Sequence, residues 1–283
     1  MEEYIIADNI TKAFGDKTVL DGVSLTIHRG EIFGLLGPSG AGKTTLIKIL
    51  TGQLAPDGGN AEISGIASRK MAGQDRKKIG IMMDNFGIYE RFSCYENLKI
   101  FARIYGIKNE DIMRALEKVG LAGVKKRAAS RLSKGMQSRL RLARVFMTEP
   151  DVMFLDEPTS GLDPTTANEI HKMILAEKEK GRTVFLTTHT MAEAEKLCDR
   201  IALIDDGKII ECDRPRDICR RYNHQRMLKI HLEDGADIEI PHNTDAADRV
   251  AELIRNGCAE TIHTTEPNLE TVFIELTGKE LEV

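Results

Sequence analysis

The sequence predicts an α/β layered domain that ends near residue 214, followed by a small α+β appendage over residues 215–283. From Tyr4 to about Asp213, short runs of β-type residues alternate with helical stretches, which is the pattern of helices layered on a sheet. Two apolar runs, Val152-Met153-Phe154-Leu155 and Thr183 to Thr187, lack the polar alternation of a half-solvated strand and read as parallel strands buried on both faces. After Asp213 the character changes: Arg214-Pro215-Arg216 breaks the chain, and short strand and helix patterns of mixed order follow.

Taken in order, Glu31 to Leu36 is a short apolar run ending at Gly37, and Thr44 to Leu50 places Leu46, Ile49 and Leu50 on one helical face before Gly52. This is strand, glycine loop, helix. A more helical region, a subdomain over about 86–147, separates this unit from the next strand. Within it Ser93 stands three residues before Glu96, the spacing of a capping box, which predicts a helix to about Tyr105. Asn109 and Ser133 have the character of further helix starts. In the appendage, a charged helix after Pro215 leads to a strand over Met227 to Leu232 and another around Ile238. A helix over Asp245 to Arg255, a strand near Thr261 and a last helix from Asn268 to Leu276 complete it.

The composition of the 283 residues, 41% hydrophobic and 30% charged, is that of a globular chain rather than a disordered one. Forty basic residues against 44 acidic ones leave a net charge of -4, which argues against broad nucleic-acid binding. No apolar run approaches the roughly 18 residues of a membrane-spanning helix. The N-terminal MEEYIIADN has acids where a secretion signal has bases, so a cytoplasmic location is expected. The five cysteines are scattered and form no CxxC pair, giving neither a disulfide framework nor a zinc site.

Gly37-Pro38-Ser39-Gly40-Ala41-Gly42-Lys43-Thr44 matches the G-x-x-x-x-G-K-[ST] phosphate loop. Its glycines let successive N–H groups point inward, and the helix that begins with Thr44 and Thr45 adds its positive end. Lys43 has the reach for β and γ phosphates, and the Thr44 hydroxyl suits Mg²⁺. Asp156 and Glu157 follow a buried strand directly, where open parallel sheets have their ligand crevice. Asp156 suits Mg²⁺; Glu157 suits the orientation and deprotonation of an attacking water. His189 stands after a third strand, in reach of a γ-phosphate, of Glu157 or of the water.

Together these residues resemble the ATP-binding subunits of ABC transporters, over roughly residues 4–213. Leu132-Ser133-Lys134-Gly135-Met136-Gln137 resembles that family's signature sequence, Ser160-Gly161-Leu162-Asp163 its D-loop, and His189 its switch histidine. Phe14 is at the position of the aromatic that stacks on adenine. The resemblance implies a P-loop NTPase ABC cassette over residues 1–214 with its helical subdomain, ATP and Mg²⁺ as cofactors, and a homodimer of cassettes in the ATP-bound state. Each ATP would lie between the phosphate loop of one copy and Ser133 to Gly135 of the other. It also implies a separately encoded transmembrane permease subunit that holds the cassette on the inner face of the cell membrane. The tail Glu266 to Phe273 resembles that of drug- and polysaccharide-exporter ATPases, which implies export of a drug, an antibiotic peptide or a lipid-like substrate.

Three positions depart from the family's pattern. Lys134 stands where glycine is usual and Met136 where glutamine is common; Lys134 either crowds the phosphate across the dimer or offers it a positive charge. Asp84 stands where a glutamine usually touches Mg²⁺, and is either a shorter oxygen ligand or only a loop acid. Phe86, Ile88, Tyr89 and Phe92 form either a socket for the membrane partner or local core. Two other readings stay open beside the transporter subunit: a soluble ATPase acting on ribosomes or DNA, and a nucleotide-binding regulator with little turnover.

Overall fold

The computed structural model describes residues 2–83, 87–223, 227–265 and 267–279. The chain divides into two compact units, with the break between Asp213 and Arg214.

In the first unit, β1 (Glu3–Phe14) and β2 (Lys17–His28) form a long antiparallel pair. They are followed by β3 (Ile32–Leu36), α1 (Lys43–Leu50), β4 (Gly58–Ile63), the short β5 (Ile66–Ala67), α2 (Gly73–Arg76) and β6 (Ile79–Met82). The helices α3 (Cys94–Tyr105), α4 (Asn109–Lys118) and α5 (Lys134–Phe146) come next. Then β7 (Val152–Asp156), α6 (Pro164–Lys178), β8 (Thr183–Thr188), α7 (Met191–Leu197), β9 (Arg200–Asp205) and β10 (Lys208–Asp213) complete the unit. The strands make two sheets, a six-stranded one in the order β10-β9-β3-β8-β7-β6 and a four-stranded one in the order β2-β1-β4-β5. The larger is parallel except for β10; the smaller is antiparallel throughout.

The larger sheet is covered on both faces, which is why its strands read as unbroken apolar runs. Phe33, Leu35, Val152, Phe154 and Phe185 meet α1 and the inner residues of the smaller sheet, among them Ile5, Ile10, Leu20 and Val23. Ile32, Met153, Leu155, Val184 and Leu186 meet the helices, with Leu98, Leu116, Leu142 and Ile174 among their neighbours. Each such side chain taken out of water contributes about 1.5–3 kcal/mol. Phe185 is central: its ring lies 6.1 Å from that of Phe33 and 5.6 Å from that of Phe154. The ladder pairs Leu36 with Thr188 and Asp156 with Thr187, so β3, β7 and β8 end at one level and their loops emerge side by side.

The helix starts follow their caps. Ser93 Oγ accepts from Glu96 N while Glu96 Oε2 accepts from Ser93 N, and Gly106, at φ 69°, closes α3. Ser133 caps α5 through the N–H of Met136. Within the second unit, α8 (Pro215–Arg221) has Pro215 in its first turn, and β11 (Met227–Leu232), β12 (Asp237–Pro241) and β13 (Ala259–Thr265) form an antiparallel sheet in the order β12-β11-β13. The helices α9 (Thr244–Arg255) and α10 (Leu269–Thr277) start at the asparagine caps Asn243 and Asn268. Each of these boundaries lies within about a residue or two of the sequence expectation.

Candidate functional site

The loop after β3 owes its path to glycine. A Cβ at Gly37 would lie 2.1 Å from the carbonyl oxygen of Ile204, and one at Gly42 would lie 2.7 Å from that of Val19; Gly42 also has φ +106°. Gly40 has open space around it but φ +82°, a backbone conformation that side chains with a Cβ rarely adopt. The loop therefore wraps against β2 and β9 while Ser39, Gly40 and Thr44 face outward. Gly42 precedes α1, whose first N–H groups lack partners within the helix. Ala41 is buried, and Thr45, half-buried, lies in the first turn. The Lys43 ammonium is folded into the loop, where Nζ donates to Gly37 O at 2.6 Å and to Pro38 O at 3.2 Å.

The end of β7 meets this loop. Asp156 is 4% exposed, and its Oδ2 accepts from Thr44 Oγ1 at 2.8 Å. Its Oδ1 accepts from Thr187 Oγ1 at 2.5 Å. Glu157 follows in the left-handed region at φ 48°, an uncommon conformation for a residue with a side chain. Its N–H donates to Thr187 Oγ1 at 3.1 Å, and this pins the turn. The carboxylate then lies between two cationic or polar partners: Oε2 is 2.7 Å from His189 Nδ1, and Oε1 is 3.5 Å from Lys43 Nζ. Lys43, Thr44, Asp156, Glu157 and His189, drawn from three strand ends, thus form one continuous set of contacts.

This set can do three things chemically. Inward N–H groups at a helix start, with an ammonium beside them, attract an anion of phosphate type. An exposed hydroxyl hydrogen-bonded to a carboxylate is a pair of hard oxygen donors, which fits a divalent cation such as Mg²⁺. A carboxylate oriented by an imidazole can accept a proton from water.

Ser133, Gly135 and Asp163 lie together elsewhere on the first unit. Ser133 and Asp163 are exposed N-caps of α5 and α6, and Asp163 Oδ1 accepts from Thr166 N at 3.0 Å. The Thr166 hydroxyl and N–H hold the Asp163 carboxyl below the usual carboxylate range. A Cβ at Gly135 would lie 2.4 Å from Thr166 Cγ2, so the glycine lets the two helix starts touch. Lys134 reaches toward its own chain, its Nζ 3.9 Å from where a Cβ of Gly161 would be. Phe14, 52% exposed at the end of β1, has the Lys12 ammonium 5.5 Å from its ring centre. Asp84 and Phe86 lie outside the described residues. Ile88 packs against the core, whereas Tyr89 and Phe92 are exposed with ring centres 5.6 Å apart.

Two contributors escaped the sequence reading. Thr187, fully buried, holds both Asp156 and Glu157; the signal was a threonine ending an apolar strand, which β propensity also explains. Ser138 Oγ donates to Pro158 O at 2.8 Å and fixes α5 to the turn after Glu157. No local pattern announces that contact.

Known proteins place this arrangement among nucleotide-driven transport machinery. Residues 20–160 match the family described as ABC transporter. The chain is 41% identical to a fluoroquinolones export ATP-binding protein of Mycobacterium tuberculosis, over 92% of this chain and 88% of that one. It is 33% identical to the linearmycin resistance ATP-binding protein LnrL of Bacillus subtilis, over 97% and 98%. Among solved structures, an ATP-binding subunit of an ABC transporter aligns with a TM-score of 0.69 at 27% identity, covering 77% of this chain and 93% of that one. A dimeric ATP-binding cassette in a post-hydrolysis state with ADP and Pi aligns with a TM-score of 0.68 at 25% identity, covering 74% and 98%.

Proposed function

The chain belongs to the ABC transporter family, as a subunit that binds and hydrolyses ATP, and from that premise we propose how its residues divide the work. Gly37, Ser39, Gly40, Ala41, Gly42, Lys43, Thr44 and Thr45 hold the phosphates, and Phe14 stacks on the adenine. The Thr44 hydroxyl, with Asp156 behind it and Asp84 as a further oxygen donor, would hold Mg²⁺, which would supply positive charge against that developing on the phosphates. Glu157 accepts a proton from the attacking water as the water oxygen bonds to the γ-phosphorus and the bond to the leaving ADP oxygen breaks. His189 keeps the Glu157 carboxylate aimed through its 2.7 Å contact, which is the observation that carries this reading.

Two copies pair head to tail, with Ser133, Gly135 and Asp163 of one facing the phosphate loop of the other. The exposed caps at Ser133 and Asp163, packed side by side, support this. ATP then holds the halves together, and loss of its γ-phosphate releases them, which turns hydrolysis into motion. No helix among the described residues is long and apolar enough to cross a membrane. The motion acts on a separately encoded permease, which holds this subunit at the inner face of the cell membrane. Its docking place is the region of about residues 86–105, where Tyr89 and Phe92 are exposed with ring centres 5.6 Å apart. The names of the relatives, one for fluoroquinolones export and one for linearmycin resistance, support export of a drug or antibiotic.

Glu157→Gln tests the assignment. ATP binding measured by calorimetry should persist while steady-state hydrolysis falls by about 100-fold or more, and ATP should accumulate a stable dimer in size-exclusion chromatography. Hydrolysis at the parent rate would overturn the role given to Glu157.

A further inference from the structure

Behind the site lies a buried carboxylate that the reaction just described does not use. Glu193, in α7, is 5% exposed, and its Oε1 is 2.8 Å from His171 Nε2 and 2.5 Å from Thr159 Oγ1. An ionised carboxylate only accepts, so His171 Nε2 and the Thr159 hydroxyl donate to it. Burial alone would push this carboxyl up, but the hydrogen bonds from His171 and Thr159 outweigh it and hold it below the usual range. His171 Nδ1 has no hydrogen-bond partner although it is buried, so the ring is committed to Glu193 on one side only.

Glu193 and its two donors come from separate pieces of the chain. Thr159 lies two residues beyond Glu157 and four before Asp163; Glu193 itself lies four residues beyond His189; His171 is inside α6, which begins after Asp163. The turn between Glu157 and Asp163 has few other ties to its surroundings. Its internal bonds run from Ser160 N to Glu157 O and from Leu162 N to Thr159 O, and Pro158 O accepts from Ser138. A second link, Lys196 Nζ to Asn168 Oδ1 at 2.7 Å, fastens α7 to α6 on the outside. Burying a carboxylate costs free energy unless it is well bonded, and α7 could have turned an apolar residue inward at no such cost.

We propose that Glu193 is a positioning residue for ATP hydrolysis: through Thr159 it ties the Glu157–Asp163 turn to α7, the helix that follows His189, and His171 holds Glu193 in place. It acts through its hydrogen-bonded neighbours. Its effect is to keep the Glu157–His189 contact and the Asp163 cap in fixed relation while the dimer opens and closes. The proposal rests on the site reading above, in which Glu157 and His189 act on the attacking water.

The test uses the purified full chain with Mg-ATP. Thr159→Val removes one hydroxyl and keeps the shape, so it should lower kcat by about 10-fold or more, as misplaced catalytic groups do, with KM and the thermal midpoint nearly unchanged. Thr159→Ser, which keeps the hydroxyl, should restore kcat to within about two-fold. Glu193→Gln should lower kcat in the same way, and it keeps the question open to measurement if Thr159→Val folds poorly. A kcat for both Thr159→Val and Glu193→Gln within two-fold of the parent would overturn the proposal, as would a loss that Thr159→Ser does not restore. Glu157→Gln run beside them separates the two claims: if it is inactive while Thr159→Val and Glu193→Gln are both normal, the positioning idea fails and the site reading stands. If Glu157→Gln is fully active, the site reading itself fails.

Discussion

The two units use strands in different ways. In the first, β3, β7 and β8 are buried at every position. In the second, only Ile230 of β11 is buried and no residue of β12 is. A strand covered on both faces has no freedom to slide, since a one-residue slip would move every side chain to the wrong face. Its end is therefore a fixed point from which a loop can place a carboxylate within 3 Å of an imidazole. The half-solvated sheet of the second unit tolerates small adjustments, and its polar side chains pair with one another on the surface. All the candidate site residues come from the first unit, and the difference in strand burial explains why such contacts are practicable there.

The comparison is broken most severely by emptying one core at a time. Phe154→Ala and Phe273→Ala both remove a fully buried ring, and each should cost about 3–5 kcal/mol of local stability. Their consequences should differ. Phe154 is in β7, two residues before Asp156, so its loss should lower the unfolding midpoint and weaken ATP binding together. Phe273→Ala should destabilise the second unit while KM for ATP stays within about two-fold. Urea titration followed by hydrogen exchange locates the damage, and a large KM change in Phe273→Ala would contradict the division of labour.

The next effect isolates charge from packing. Lys43→Ala removes the ammonium that lies 3.5 Å from Glu157 and is bonded into the loop. Charge-assisted hydrogen bonds contribute about 1.5–3 kcal/mol each, so ATP affinity measured by calorimetry should fall roughly 10- to 100-fold. An unchanged affinity would mean that backbone N–H groups alone hold the phosphates.

Much of this geometry is local in the sequence. The glycine loop, the carboxylates after Val152-Met153-Phe154-Leu155 and the caps at Ser93 and Ser133 are each written in a few adjacent residues. What escapes a linear reading is whatever depends on a distant partner. Glu193 stands in Met191-Ala192-Glu193-Ala194-Glu195-Lys196, which reads as a solvated helix face; only the packing of α7 beside α6 turns it inward. Ser138 likewise stands among polar residues of a helix, between Gln137 and Arg139. The four-stranded antiparallel sheet was also not legible, because β1 and β2 pair through several register shifts that blur strict alternation. The role of Phe14 rests on the family resemblance, since its contact with Lys12 does not assign it, and so does that of Asp84, which lies outside the described residues.

A smaller effect separates buried from exposed ion pairs. Glu177 is 2% exposed and is held by Lys118 at 2.5 Å and Lys180 at 2.8 Å. Burial pushes its carboxyl up, and the two ammonium groups outweigh that and leave it below the ordinary value. A carboxyl lowered on folding stabilises the native state above its unfolded pKa, and that contribution is lost as pH falls through the folded one. Glu177→Gln should therefore cost roughly 1 kcal/mol near neutrality, and the gap in urea midpoint between parent and variant should close as the pH is lowered below 4. A gap that stays constant with pH would assign the loss to packing instead.

The smallest effect is in the second unit, where His231 and Lys229 both approach Asp237 on the solvated side of the sheet. The Asp237 carboxylate favours the charged imidazole, first through its hydrogen bond and then through its charge, so His231 should titrate above the ordinary histidine value. A group raised on folding stabilises the native state below its unfolded pKa, and the contribution disappears as pH rises through the folded one. Because this pair is in contact with water, salt should screen it, and the measurable quantity is the titration itself. An NMR titration of the His231 ring should show a midpoint above that of a free imidazole, moving back toward it in Asp237→Asn and in high salt, with ATP hydrolysis unaffected throughout. A midpoint that ignores both changes would mean that the surface contact is not kept in solution, and that the second unit is looser than even its half-exposed strands imply.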